Sequence, residues 1–273
     1  MATGMTLSSL LQIAWMFLLP LAAVIIPLFV GQRVGMYHRK TDLDIQHTPI
    51  ESVVSAAFGL LAFMLAFTFQ IAANRYDARK AMLMEEVKDI RIVYLRAGLI
   101  PEPYRSATKK HLVEYVDLRV DLLKDLSKMD YAFMNSRKIL DSLWSYTEAL
   151  AVQDRSSEVY ALYTSAVNDV IDAYYERVTL VIVYRIPKAI LFVLFIIGFL
   201  SMLVLGYQFG VSGKGSYGIN LLLATTFSVV MCLIFALDRP ELGLIPVNQR
   251  PLMILHEQLH ARELKSQSTI PEN

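Results

Sequence analysis

The stretch that decides the fold is TPIESVVSAAFGLLAFMLAFTFQIAANRYDARK, Thr48 to Lys80. Between Glu51 and Arg75 it carries no charge, so Ser52 to Asn74 offers 23 uncharged residues, and a helix needs roughly 20 to cross a hydrocarbon layer. Thr48, Pro49, Ile50 and Glu51 read as a capping box with proline at the first helical position, which marks the start of that helix. Inside it Gly59, Phe63 and Phe67 recur at i, i+4 and i+8, so one face carries a column of a glycine and two phenyl rings. The apolar run ends in a charged cuff of Asn74, Arg75, Asp77, Arg79 and Lys80.

The rest of the chain agrees with a membrane setting. Of 273 residues 55% are hydrophobic and only 19% are charged, more apolar than a soluble domain of this size. Lysine plus arginine (26) nearly cancels aspartate plus glutamate (25), so no charge excess points to nucleic acid as a partner. The single cysteine, Cys232, excludes a disulfide or a cysteine-based metal cluster within one chain. No cofactor is implied.

Three further apolar segments complete a set of four spans. The first runs from about Leu7 to Val30 and contains Pro20 and Pro27, with a kink or break expected near Pro27 and a polar connection over Gly31 to His47. It lacks the basic start of a secretory signal and is longer than a signal's core, so it reads as a membrane helix. The third covers about Ile190 to Gly206 and the fourth Ile219 to Leu237, with Gly210, Gly213, Gly215 and Gly218 forming the loop between them.

The expected organisation is therefore all-α: transmembrane helices 1 and 2 in 1–73, a helical region in 74–185, transmembrane helices 3 and 4 in 186–237, and a tail over 238–273. In the helical region Leu83, Val87, Ile90 and Tyr94 form one stripe, ending before Gly98 and the turn at Pro101 and Pro103. Leu112, Tyr115, Val116, Leu122, Leu123 and Leu126 mark a second helix and Ile139 to Leu150 a third. A fourth carries Val159, Leu162, Tyr163, Ala166, Val167, Val170, Ile171 and Tyr174, and four such helices can share one core. The tail begins extended around its prolines, becomes a short amphipathic helix, and ends in SQSTIPEN, a disordered-looking run. All but four of the 26 lysines and arginines fall on the side of the helical region and tail, the exceptions being Arg33, Arg39, Lys40 and Lys214. The positive-inside rule makes that side cytoplasmic, with both termini on it, although the first span alone favours the reverse.

Several side chains have both a functional and a packing reading. Phe63 and Phe67 can line a pore, where ring edges attract anions, ring faces attract cations, and a narrow apolar ring stops conduction by dewetting; they also fit as packing residues among membrane helices. Glu51 can form an acidic outer mouth or serve only the capping box. The cuff can concentrate ions in an inner vestibule or anchor the helix at the membrane face. Glu85, Glu86 and Asp89 continue that helix and can face the same vestibule or a cation, though no loop offers the six to eight oxygens of a calcium site.

In the tail His256, Glu257 and His260 match H-E-x-x-H, in which two histidines one turn apart bind zinc and the glutamate activates water. A third ligand is needed, and downstream there are only Glu263, too close for the usual pattern, and Glu272. The motif therefore reads as surface residues of an amphipathic helix, with a membrane zinc metalloprotease as the minor alternative. No Ser-His-Asp set or phosphate-cradling glycine loop is present.

The segment FTFQIAANRYDARK, Phe67 to Lys80, resembles the end of the pore-lining helix of bestrophins, where an apolar helix runs through small and polar residues into an Arg-aromatic-acid-small-Arg pattern. EEVKDIRIVYLRAGLIPEPYR (85–105), Leu143-Trp144, RIPKAIL (185–191) and ALDRPELGLIPVNQRPL (236–252) resemble the bestrophin-like membrane proteins of bacteria, over nearly the whole chain. The resemblance implies four spans with a cytoplasmic helical region between the second and third, and a homopentamer in the bacterial inner membrane. It further implies a pore lined by the second span that passes small inorganic ions. By the arginine register the family's neck positions fall on Gly59, Phe63 and Phe67. Gly59 departs from the bulky residue usual there, which leaves Phe63 and Phe67 as a two-layer constriction. Such a protein is not an enzyme; the alternative is a non-conducting scaffold or signalling protein built from the same helices.

Overall fold

The computed structural model describes residues 7–41, 50–182, 186–213, 217–239 and 244–268. Every regular element among them is helical: α1 Leu7–Thr41, α2 Ile50–Arg96, α3 Tyr104–Lys124, α4 Met129–Gln153, α5 Glu158–Ile182, α6 Lys188–Ser212, α7 Tyr217–Asp238 and α8 Arg250–Ser268. The chain forms two compact units, one from 1–77 with 185–246 and the other from 78–184 with 247–273, and α2 contributes to both.

The first unit holds α1, α6, α7 and the first half of α2. Parts of α1, α2, α6 and α7 are long and apolar enough to cross a membrane. Val24, Leu28, Leu61, Leu194, Met202, Ala224, Met231 and Ile234 form its core. Hydrophobic burial contributes little between helices in lipid, so close approach and hydrogen bonds matter more. The contact of α1 with α6 is built on such approach. A Cβ on Gly31 would run into the Leu203 carbonyl and one on Gly35 into that of Tyr207; reciprocally, Gly206 lies on the Leu28 carbonyl and Gly210 on that of Gln32. Two glycine pairs at i, i+4 therefore face each other across the interface.

This interface corrects two sequence expectations. α1 does not break at Pro27 but continues unbroken to Thr41, because its last turns carry Gly31 and Gly35 against α6; Pro27 removes one backbone donor, a loss membrane helices tolerate. Gly210 belongs to α6 and not to the following loop. The helix ends two residues later at Ser212 and is capped by Gly213, whose φ of 67° is the left-handed conformation that glycine adopts freely at a helix end. The capping threonine proposed at position 48 and the connection 42–49 lie outside the described residues, as does Lys214.

The second unit buries Leu83, Val87, Ile90, Val93 and Tyr94 of α2 with Leu112, Tyr115 and Val116 of α3, Ile139, Leu140 and Leu143 of α4, and Tyr163, Val167, Val170 and Tyr174 of α5. The periodic stripes thus mark the core, with Leu123, Val159 and Leu162 falling on the exposed side of their helices; the side chain of Leu126 is outside the described set. A fifth contributor is α8, which inserts Leu252, Leu255 and Leu259. Local hydrogen bonds set the helix ends. Asp154 accepts from the Ser156 amide at 2.9 Å and hydroxyl at 2.7 Å in the α4–α5 turn, an Asx turn that stops one helix before the next begins. The Glu102 carboxylate accepts from the Ser106 amide at 3.2 Å in the first turn of α3.

One charge cluster lies inside this core. Glu86 is fully buried and accepts hydrogen bonds from the Tyr115 hydroxyl at 2.8 Å and from Arg119 Nε and Nη2, both at 3.2 Å. Arg177 Nε lies 3.3 Å from its second oxygen. Burial opposes ionisation of Glu86, but the Arg119 and Arg177 charges and these hydrogen bonds together hold its carboxyl below the ordinary range. Glu86 is therefore an internal counter-charge for two arginines, which corrects the expectation that it faces a vestibule or a cation. Asp89 is buried too and pairs with Lys88 at 3.4 Å, whereas Glu85 is exposed.

Candidate functional site: the open face of the second span

Within the first unit α2 has two faces. Val54, Leu61, Thr68 and Ala72, spaced by seven, seven and four residues, are buried and share one side of the helix. Thr68 Oγ1 donates to the Met64 carbonyl at 2.7 Å, and Ser201 Oγ of α6 donates to the Ala57 carbonyl at 3.2 Å. The opposite side carries Gly59, Phe63 and Phe67. A Cβ built on Gly59 meets nothing within 4 Å. Phe63 and Phe67 are 65% and 50% exposed, with ring centroids 6.5 Å apart and planes 11° from parallel. Of the four membrane-length helices α2 is also the least covered by its own chain: 11% of its most apolar window is buried, against 33–44% in the others.

The column continues beyond the phenylalanines. Gln70 and Asn74, the next positions on that face, are both exposed, and Gln70 Nε2 donates to Asn74 Oδ1 at 2.6 Å. Gln70 was not singled out from the sequence, although its place seven and three residues from Phe63 and Phe67 puts it on their face. The open stripe thus changes along the helix from apolar rings to primary amides.

The cuff residues do not act as one group. Asn74 and Asp77 are exposed. Arg75 instead turns inward, with Nη1 3.7 Å from Oδ1 of Asp238 at the end of α7. The same Asp238 oxygen accepts from the Ile186 backbone N–H at 3.1 Å, just before α6 begins. Asp238 thereby ties together three points at which the chain leaves its apolar helices, and Arg75 takes a structural part. Farther along α2, Arg79 is half-buried and Lys80 exposed. Glu51 is exposed in the first turn of α2.

In the second unit, the H-E-x-x-H histidines meet an acid the spacing did not reveal. Asp117 Oδ1 of α3 lies 2.9 Å from His256 Nε2 and 2.8 Å from His260 Nε2 of α8, while Glu257 is exposed.

The family model of the Bestrophin-like domain matches residues 17–252. No curated protein matches the chain. Among solved structures, a mutant form of a bacterial bestrophin homologue from Klebsiella pneumoniae superposes with a TM-score of 0.63 at 14% identity, over 97% of this chain and 98% of that one. A second mutant form of the same homologue gives 0.62 at 14% identity over 93% and 98%. A variant described only as a membrane protein gives 0.62 at 16% identity over 96% and 100%. At such identities the likeness speaks for the fold.

Proposed function

This chain belongs to the bestrophin-like family, and on that premise we propose that it assembles as a homo-oligomer, a pentamer, whose subunits surround an ion pore with the open face of α2. The carrying observation is the uncovered column of Gly59, Phe63, Phe67, Gln70 and Asn74 on the least covered of the four spans. Exposed amides on a membrane helix are costly against hydrocarbon. A water-filled axis shared with other subunits satisfies Gln70 and Asn74, and lipid does not.

In this reading Phe63 and Phe67 form the constriction. Gly59 supplies a wide layer on one side of it and the amides of Gln70 and Asn74 a polar layer on the other, where an ion leaving the apolar ring regains hydrogen-bonding partners. Flow is passive, down the electrochemical gradient, and the protein performs no bond chemistry. Glu51 stands at the outer mouth, and Asn74, Asp77 and Lys80 shape the inner entrance. The membrane is the bacterial inner membrane, with the helical region and both termini in the cytoplasm, as the lysine and arginine distribution favours.

Purified protein reconstituted in liposomes under a chloride or sodium gradient tests this proposal. Flux that rises in Phe63→Ala supports it. An oligomeric preparation that passes neither ion, with Phe63→Ala equally silent, leaves the non-conducting scaffold. A monomeric mass in detergent also removes the pore, since one such helix cannot enclose an axis.

A further inference from the structure

We infer that Asp117, His256 and His260 form a binding site for a divalent transition cation of the zinc type. The three side chains come from two helices of the second unit and bring three ligand atoms within 4.8 Å of one another. His256 and His260 stand one turn apart on α8, their ring centroids 4.5 Å apart, and both direct Nε2 at the same oxygen of Asp117. That convergence is held from beneath. Leu252, Leu255 and Leu259, interleaved with the histidines on α8, are buried in the core, which fixes the rotation of the helix and the edge it offers to α3.

The chemistry of the donor set selects the cation. Two imidazole nitrogens and one carboxylate oxygen suit zinc and its first-row neighbours, whereas calcium and magnesium require more oxygens than this cluster has. Zinc bonds of about 2.0–2.2 Å place tetrahedral ligands roughly 3.3 Å apart, so the present contacts of 2.8 and 2.9 Å need to open by about half an ångström, within the reach of side-chain rotation. The cation then takes the place of the direct contacts between the two rings and the carboxylate. All three side chains are partly exposed, His256 at 30%, His260 at 43% and Asp117 at 41%, which admits the ion and leaves its fourth position to water. Residues separated by 139 and 143 positions become bridged, so the cation clamps α8 to α3. The site does not depend on conduction along α2.

The test uses the full-length protein in detergent, stripped with chelator and titrated with zinc and, as a spectroscopic probe, cobalt(II). One ion bound per chain is expected, with the visible absorption of a low-coordinate cobalt site and a raised thermal transition. His256→Ala, His260→Ala and Asp117→Asn each weaken binding by at least about tenfold while keeping the elution volume and helical content of the parent. His111→Ala, a histidine on α3 outside the cluster, binds as the parent does. If His260→Ala proves unstable, His260→Gln replaces it. Binding that is absent in the parent, or equal in the parent and the Asp117 and His260 variants, overturns the assignment.

Discussion

The rings of Phe63 and Phe67 lie nearly parallel, 11° apart with centroids separated by 6.5 Å, and no other part of the chain covers them by more than half. Aromatic side chains so placed on a membrane helix await either lipid or further copies of the same helix. If they meet copies around an axis, truncating either ring widens the constriction. Phe63→Ala and Phe67→Ala should each raise ion flux in liposomes severalfold, and the double variant should exceed both. Unchanged flux in all three, measured beside a conducting parent, would move the constriction elsewhere.

The amides below the rings make a separate prediction. Gln70→Leu removes the hydrogen bond to Asn74 and extends the apolar ring by a layer, which favours dewetting. Flux should fall, while thermal stability in detergent stays close to the parent because both side chains are exposed. A matching loss of stability would mark Gln70 as a packing residue.

Gly31, Gly35, Gly206 and Gly210 let the backbones of α1 and α6 touch, with carbonyl oxygens occupying the space of the missing side chains. A carbonyl cannot step aside as a side chain can. Gly206→Val should therefore cost at least about 1–3 kcal/mol, the usual penalty of overpacking, read as a lower thermal transition in detergent. Gly59→Ala, where a Cβ meets nothing within 4 Å, should leave that transition unchanged.

The buried cluster around Glu86 predicts acid sensitivity. Its carboxyl is held below the ordinary range, so its stabilising contribution is complete above the unfolded-state pKa and is lost as pH falls through the lower folded value. Glu86→Gln strands Arg119 and Arg177 in the core and should cost about 3–5 kcal/mol near neutral pH. Thermal unfolding of parent and variant across the acid range should show the gap narrowing as pH falls.

Asp238 serves the Ile186 amide and Arg75 with one oxygen. Asp238→Ala leaves that amide without its partner, at a cost of about 1–3 kcal/mol. Arg75→Gln should cost less, since the pair stands 3.7 Å apart and Arg75 retains some solvent. Thermal transitions of the two variants in detergent give the order.

What the sequence by itself determined follows from properties local to the chain. Runs without charge identified four spans, the 3.6-residue period identified the core stripes of the helical region, and spacings of four put Gly59, Phe63 and Phe67 on one face. Each depends only on residues a few turns apart in one helix. What the tertiary structure alone decided are meetings between helices distant in sequence. The sequence presents Gly31 and Gly35 as part of a polar connection, because their reason for being helical lies on α6. The sequence leaves Arg75 open between a vestibule charge and an anchoring ion pair, and only the fold sets Asp238 opposite it; likewise only the fold sets Arg119 and Arg177 against Glu86. The carboxylate that His256 and His260 meet is not in their own segment but is Asp117, on α3. A period along one chain carries no information about which other helix completes a pair, and that choice is made by packing.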